Sequence, residues 1–297
     1  MNFDVVIPLK TSLLSIAITR TIPSIISNIS YDKIYILTKK SNFKELESTF
    51  KGKITCLDED EICKHLTLDN IKEYFKNRNE NPERAGWYFQ QFLKLSVSKL
   101  HFISNLYLVW DADAVALNPI NFFTQNNKIY FEKNKEFHEP YFEIIEKILD
   151  LKKQVSFSFI AEHLVFNKKL VITILNKISK KETWWLDILD NITSENLSKS
   201  GFSEYELYGN YVSKFHKNEI EFRHLNKTRK GIKYLGEKPS IRGLKLFSSA
   251  FDYMSFERWH KKYKPLPLRY MIVFFVILFG WVKKYVKLMI SSFYSII

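Results

Sequence analysis

The sequence predicts an α/β fold with a mostly parallel central sheet flanked by helices. Three observations predict it. Short β-rich runs alternate with helical patterns over the first 130 residues, one long apolar run, Asn105–Asp111, ends in an acid, and glycine and proline are scarce at 8 each. In chain order the pattern gives a strand at Phe3–Pro8, a helix at Thr19–Ile29, a strand at Lys33–Thr38 and a helix at Asn42–Phe50. A strand at Lys53–Leu57, a helical region from Gly86 through Leu100 and the strand at Asn105–Asp111 complete the series. Strands spaced by helices imply right-handed crossovers, with a ligand at the strands' carboxyl ends. A chain of 297 residues can bury a substantial core, and 46% hydrophobic with 16% aromatic residues excludes a disordered chain. Charged residues at 26% exclude a polytopic membrane protein. Cys56 and Cys63 fit neither a Cys-x-x-Cys pair nor a zinc cluster, so both are expected to be reduced. The start, Met1–Pro8 with an acid at Asp4, does not read as a signal peptide, which predicts a cytoplasmic N-terminus.

The formal charge of +13 is unevenly spread. Residues 1–220 hold 29 Lys and Arg against 28 Asp and Glu, whereas residues 221–297 hold 16 against 4. That last quarter also contains the most apolar stretch, Met271–Val282, with Arg258, Lys261, Lys262, Lys264 and Arg269 before it and Lys283, Lys284 and Lys287 after it. As a helix, Tyr270–Val282 would be roughly 20 Å long against a hydrocarbon core of roughly 30 Å. A segment lying in or dipping into one leaflet is expected, its basic residues on anionic head groups and Trp259, Tyr263, Tyr270 and Trp281 at interfacial depth. The competing reading is a buried core helix followed by a solvated basic tail; Leu288–Ile297 is apolar again, which leaves a second shallow contact or one kinked span open. The expected division is a folded body at 1–235 and a basic membrane-association region at 236–297. Basic residues beside apolar and aromatic ones favour a membrane over a nucleic acid, and no nucleic-acid-binding motif is present.

Neither a Gly-x-Gly-x-x-Gly nor a Gly-x-x-x-x-Gly-Lys-Ser/Thr pattern occurs, so a bound nucleotide would need another device for its phosphates. Leu106–Val115 contains Asp111 and Asp113, two carboxylates just past an apolar strand. Such hard oxygen donors suit Mg²⁺ or Mn²⁺, which bridges diphosphate oxygens. The plainer alternative is an acidic turn whose oxygens cap backbone amides.

Together with Val5–Pro8, Gly86–Leu95 and Ser203–Gly209, this acid pair resembles the metal-dependent glycosyltransferases of the GT-A fold, in particular bacterial enzymes that build lipopolysaccharide, capsule and other surface glycans. The resemblance covers roughly residues 1–230. It implies a Rossmann-like sheet, a nucleotide-sugar donor near Pro8 and Leu9, ribose and metal held by Asp111 and Asp113, and a glycan or lipid-linked acceptor. It also implies a divalent cation, Mn²⁺ or Mg²⁺. The segment Phe159–Asn167 resembles the part of these enzymes that lines the sugar pocket, which makes Glu162 and His163 substrate-contact candidates. Many members add a histidine as a further metal ligand; His216 and His224 are available, and His224 is taken.

Transfer from a nucleotide diphosphate needs a neutralised leaving group and an acceptor hydroxyl that loses its proton. Two glutamates among aromatic residues, Glu204 and Glu206, are the candidates for the base, with Glu204 preferred and inversion at the anomeric centre as the consequence. On a strand they would share a face; on a helix they would diverge by ~200°. From Trp87 to Lys94 a helix is expected, with Lys94 compensating phosphate charge and Gln91 bonding donor groups. Trp184 and Trp185 either stack on a sugar or fill a core. Two rivals stand beside this reading. An Asp-x-Asp phosphatase would need a further acidic cluster, yet Asp150, Asp187, Asp190 and Asp252 form no adjacent pair. A membrane-tethered, non-catalytic nucleotide-sugar-binding or scaffold protein would bind without turnover. The expected place is the cytoplasmic face of the inner membrane, peripheral or monotopic through the C-terminus.

Overall fold

The computed structural model describes residues 2–257, 274–282 and 285–286. The basic and aromatic residues from Arg258 to Tyr270, Lys283, Lys284, Lys287 and the apolar stretch from Leu288 lie outside the described residues. Among the described residues the strands are β1 (Asp4–Pro8), β2 (Ile34–Thr38), β3 (Thr55–Asp58), β4 (Leu106–Trp110), β5 (Ala114–Ala116), β6 (Ile129–Glu132), β7 (His163–Asn167), β8 (Ile220–Arg223), β9 (Lys227–Thr228) and β10 (Tyr253–Ser255). The helices of seven residues or more are α1 (Ile22–Asn28), α2 (Phe43–Phe50), α3 (Leu68–Asn77), α4 (Ala85–Ser96), α5 (Glu139–Leu149), α6 (Lys168–Ile178), α7 (Trp184–Asn191), α8 (Glu204–Phe215), α9 (Ile241–Ser248) and α10 (274–282). They build two compact units: Met1–Thr11, Tyr31–Asp111 and Phe122–Arg223 form the first, and Ser12–Ser30, Ala112–Asn121 and His224–Ile297 the second.

The first unit carries the sheet β3-β2-β1-β4-β7. Its first four strands are parallel and β7 runs antiparallel to β4, so the mixed, mostly parallel sheet expected from the sequence is present. Every residue of β1 is buried, which is why Asp4–Pro8 reads as a nearly continuous apolar run rather than an alternating one. Helices α2, α4 and α6 pack against β3, β1 and β7. Strand direction decides which residues share an edge of the sheet. Pro8, Thr38 and Trp110 end parallel strands on one edge, and because β7 runs the other way its first residue, His163, pairs with Trp110 on that same edge. The edge is pinned by side chains and main chain: Leu9 N donates to Leu37 O at 2.8 Å, Thr38 Oγ1 donates to Leu9 O at 2.7 Å, and Asn42 Nδ2 donates to Thr38 Oγ1 at 2.8 Å.

Trp184 and Trp185 are 0% and 3% exposed and pack on Phe92, so of the two roles open to them they take the core. Cys56 and Cys63 are unbridged and buried. A small parallel pair, β6 with β8, holds the aromatic group Phe131, Phe159 and Phe222. Against it lies α8. Its N-terminus is set by Ser203, whose Oγ accepts from Glu206 N at 3.3 Å, and ten consecutive residues from Glu204 to Ser213 are buried. Gly209 is what allows that depth, since a Cβ there would overlap the ring of Phe159.

The second unit has the sheet β5-β10-β9, with β5 antiparallel and β9 parallel to β10. Residues 236–257, assigned from the sequence to a C-terminal region, supply α9 and β10 to it. Val115, Ile232, Phe247, Ala250, Met254 and Phe256 form its core, against which Val276 and Ile277 of α10 pack. Gly280 brings α10 close to Ala250 and Phe251. The remaining residues of α10 face outward: Phe274, Phe275, Leu278, Phe279, Trp281 and Val282 are all more than 40% exposed. Among the described residues no helix is long and apolar enough to cross a membrane. Within 274–282 the buried-helix reading therefore holds for the narrow stripe at Val276, Ile277 and Gly280.

Gly209→Ala should lower unfolding free energy by roughly 2–3 kcal/mol in denaturant titrations, because the methyl must displace the Phe159 ring from a filled site. A stability equal to that of the native chain would mean that the ring and helix do not meet as described.

Candidate active site

Trp87, Gln91 and Lys94 stand at i, i+4 and i+7 on α4 and so share one face. That face runs inward. Lys94 is surrounded in the chain by Phe89, Phe92, Leu93 and Leu95, all buried, and is itself 2% exposed. A buried ammonium requires partners, and three are present. Lys94 Nζ lies 2.9 Å from Asp111 Oδ1, at the end of β4, and 2.9 Å from Glu204 Oε1, in the first turn of α8. It also donates to Tyr205 OH at 3.3 Å and sits 4.5 Å from that ring's centroid. Three N–H groups thus meet three acceptors. With its amide nitrogen turned toward the acid, Gln91 donates to both oxygens of Glu204.

The electrostatics follow from this enclosure. For Lys94 burial is the largest single influence and opposes the charge, but the fields of Asp111, Glu204 and Tyr205 together outweigh it and hold the ammonium well above its ordinary range. Glu204, fully buried, is raised: desolvation dominates, Lys94 works against it, and Asp111 adds to it. The side chain of Asp111 remains 24% exposed while those of Lys94 and Glu204 are 3% and 0% exposed. Asp111 is the one of the three that a solute can touch. Its amide is fixed as well, donating to Glu162 O at 2.9 Å.

The helical form of Glu204–Phe215 separates the two candidate bases. Glu206, about 200° around the helix from Glu204, faces away from Lys94. Its Oε1 accepts from Ser158 Oγ at 2.6 Å and Phe159 N at 3.0 Å, and its Oε2 accepts from Asn210 Nδ2 at 3.0 Å. Glu206 therefore ties down the strand-like segment that leads to Glu162. Desolvation raises its pKa, while the hydrogen bonds from Ser158 and Phe159 lower it.

The other sequence candidates fall into separate surroundings. Pro8 and Leu9 are buried at the end of β1. Glu162 and His163 are each 3% exposed; the His163 ring is stacked on Trp110 with centroids 4.9 Å apart, and its Nε2 is 3.7 Å from Glu132 Oε2. Lys94, expected to compensate phosphate charge, has its donors engaged inside the protein by Asp111, Glu204 and Tyr205. Asp113 and His224 belong to the second unit, Asp113 ahead of β5, where its O accepts from Phe256 N at 2.9 Å, and His224 exposed between β8 and β9. His216 pairs with Glu219 at 2.9 Å. Among the described residues no group of three or more His, Cys, Asp or Glu is placed to hold a metal ion. A Mg²⁺ or Mn²⁺ held by one or two carboxylates, with water and phosphate oxygens completing the shell, does not need such a group. The partly exposed carboxylate of Asp111 fits that mode.

The sequence pattern does not single out Tyr205, Ser158 or Asn210. A signal for the first is available: a lysine within an apolar helix face demands an acid and an acceptor nearby, and Glu204-Tyr205 offers both.

Lys94→Met should destabilise the protein by about 3–5 kcal/mol in equilibrium unfolding at neutral pH, because two carboxylates are left without their cation. The loss should shrink on acidification, as protonation of Glu204 removes one of the stranded charges. Unchanged stability across pH would show that the ammonium is not their counter-charge.

Comparison with solved structures finds several glycosyltransferases. Mouse xyloside xylosyltransferase 1 in its apo form is 10% identical with a TM-score of 0.43, over 77% of this chain and 87% of that one. The galactosyltransferase LgtC in complex with donor and acceptor sugar analogues is 9% identical with a TM-score of 0.46, over 85% and 86%. The glycosyltransferase GlyE of Streptococcus pneumoniae TIGR4 is 13% identical with a TM-score of 0.40, over 96% and 64%. No curated protein matches the sequence. The model of a family of unknown function, DUF6492, matches residues 4–258, and the chain belongs to that family.

Proposed function

We propose that the protein is a glycosyltransferase of the GT-A type that moves a sugar from a nucleotide-diphosphate donor to a hydroxyl of a glycan or lipid-linked acceptor, in bacterial surface polysaccharide or lipopolysaccharide synthesis. One observation carries the reading: Lys94 joins Asp111, the accessible acid at the carboxyl end of a parallel strand, to Glu204, a desolvated carboxylate with a raised pKa. A donor-side acid and a base of enhanced proton affinity are thus coupled through one ammonium. The order of motifs along the chain, from Val5–Pro8 through Gly86–Leu95 and Asp111–Asp113 to Ser203–Gly209, supports the same reading.

In this reading Asp111 and Asp113 would hold a divalent cation, Mn²⁺ or Mg²⁺, which would supply positive charge for the diphosphate leaving group. Asp111 orients the donor from the edge of the sheet, with the main chain at Leu9 as the neighbouring wall. Glu204 accepts the proton of the acceptor hydroxyl. Its carboxylate is covered by the Gln91 amide, and the acceptor hydroxyl reaches it by taking that amide's place. Lys94 works against the rise that burial imposes on the carboxylate's pKa and holds it in one orientation. Attack aided by such a base inverts the anomeric centre.

Two variants separate the roles. Asp113→Asn should abolish manganese-dependent thermal stabilisation by uridine and cytidine diphosphates while leaving the unliganded melting temperature within a few degrees of native. Glu204→Gln should retain that stabilisation and lose roughly 10²- to 10⁴-fold in transfer. Full activity in either variant would remove its residue from the mechanism, and no stabilisation of the native protein by any nucleotide sugar would remove the function.

We further propose that the protein works at the cytoplasmic face of the inner membrane, held as a peripheral or monotopic protein. The outward apolar residues of α10 support this, together with the lysines and arginines that flank it in the sequence. Phe274 and Phe279 are 62% and 71% exposed, so a Phe274→Glu/Phe279→Glu variant should fold normally. It should no longer sediment with vesicles containing anionic phospholipid; sedimentation equal to native would refute the anchor.

A further inference from the structure

We propose that Trp87 and Tyr141 form a saccharide platform that receives a pyranose ring of the acceptor beside Glu204. The inference rests on the glycosyl-transfer reading above and gives it a binding subsite. Along the shared face of α4, burial falls off in steps: Lys94 and Gln91 are buried, whereas Trp87, one turn or roughly 6 Å toward the N-terminus, is half-buried. The face that holds Glu204 from below therefore ends in an indole at its outer rim. Gln90, at i+3 from Trp87, lies on the same side and is also half-buried.

Opposite the indole stands Tyr141, in the first turn of α5. The two rings are nearly parallel, 8° apart in plane with centroids separated by 6.2 Å. Tyr141 is half-buried too, and its phenol is held high first by burial and then by the field of Glu204, with Glu136 and Glu206 adding to it, which agrees with a hydroxyl near the buried acids. The aromatic surface continues outward from there. His138 meets Tyr141 edge-on at 4.5 Å, and Phe137 and Phe142 stack at 5.3 Å, with Phe137 66% exposed. Beyond its stacking on Phe142 the Phe137 ring is left in solvent, and a ledge of rings running from the surface toward Glu204 has a natural occupant.

That occupant is a sugar. A pyranose presents axial C–H groups on one face, which lie on the electron-rich face of an aromatic ring, and hydroxyls around its rim, which need hydrogen bonds. Trp87 and Tyr141 supply the first requirement. The Tyr141 hydroxyl and the Gln90 amide can supply the second. A ring seated there points a hydroxyl along the α4 face toward Gln91 and Glu204, the direction from which the base is reached. Stacking fixes the plane of the sugar while leaving its substituents in water, so the platform selects for a carbohydrate without fixing the linkage beyond it.

The test uses the full-length protein and octyl glycosides of galactose, glucose and N-acetylglucosamine as probes. Saturation-transfer NMR should show native protein in contact with the ring protons of at least one of them, and Trp87→Ala should lose that signal. In transfer assays Trp87→Ala should raise the acceptor KM on the order of tenfold, whereas hydrolysis of the donor by water stays at the native rate. Trp87→Phe, which keeps a ring against Tyr88 as well, should retain most of the affinity. Failure of donor binding in the native protein would fall on the glycosyl-transfer reading alone, since the NMR contact does not need a donor. The platform is refuted if none of the three glycosides contacts the native protein, if Trp87→Ala leaves binding unchanged, or if donor hydrolysis falls in parallel with acceptor use.

Discussion

The ammonium of Lys94 is the interaction on which the site depends. A cation taken out of water costs several kcal/mol unless its donors are all met and its charge is balanced. Here the balance comes from residues 17 and 110 positions away in the chain, Asp111 at the end of β4 and Glu204 at the start of α8. None of the three elements can shift without stranding a charge. The ion trio therefore fixes the helix, the strand end and the second helix to one another, and it does so at the edge of the sheet where parallel strands deliver their carboxyl ends.

Helix geometry then divides the labour between the two glutamates of α8. Two residues on a helix point ~200° apart, so one carboxylate faces the ammonium and the other faces Ser158 and Phe159. Both are buried, yet their surroundings differ. Glu206 has several neutral donors and anchors the segment leading to Glu162, whose carbonyl in turn accepts the amide of Asp111. Glu204 has a cation and the Gln91 amide. Gly209, three residues beyond Glu206 on the same helix, gives the Phe159 ring its place, so segment 158–162 is held by packing and hydrogen bonding together.

Much of the sheet was legible because its central strands are apolar on both faces and bounded by helical patterns. Phe3–Pro8 and Lys33–Thr38 match β1 and β2 to within a residue. The antiparallel β7 carried no such mark: a five-residue run with three apolar residues at its centre does not state its direction, which pairing with β4 decides. In the site, Asp111, Lys94 and Glu204 were each visible as chemically suited residues, but their mutual contact was not, since a sequence shows spacing and not approach across a fold. Trp184-Trp185 shows the same limit from the other side. Composition favours a core filler for such a pair without excluding a sugar platform, and packing on Phe92 settles the choice.

On the proposed glycosyl-transfer reading, the engagement of Lys94 also bears on how a diphosphate would be accommodated. The trio of one cation and two carboxylates carries one net negative charge when Glu204 is ionised, which repels an anionic donor. A glycine-rich loop is absent, and the three N–H groups of Lys94 are all directed at protein acceptors. Recruiting the lysine to a phosphate would draw it away from Asp111 or Glu204 and raise the cost of keeping that carboxylate ionised in a dry interior. The offsetting charge must then arrive from outside the trio. In the proposed reading Asp111 and Asp113 would hold a divalent cation that would supply that charge, which leaves Lys94 to its two carboxylates.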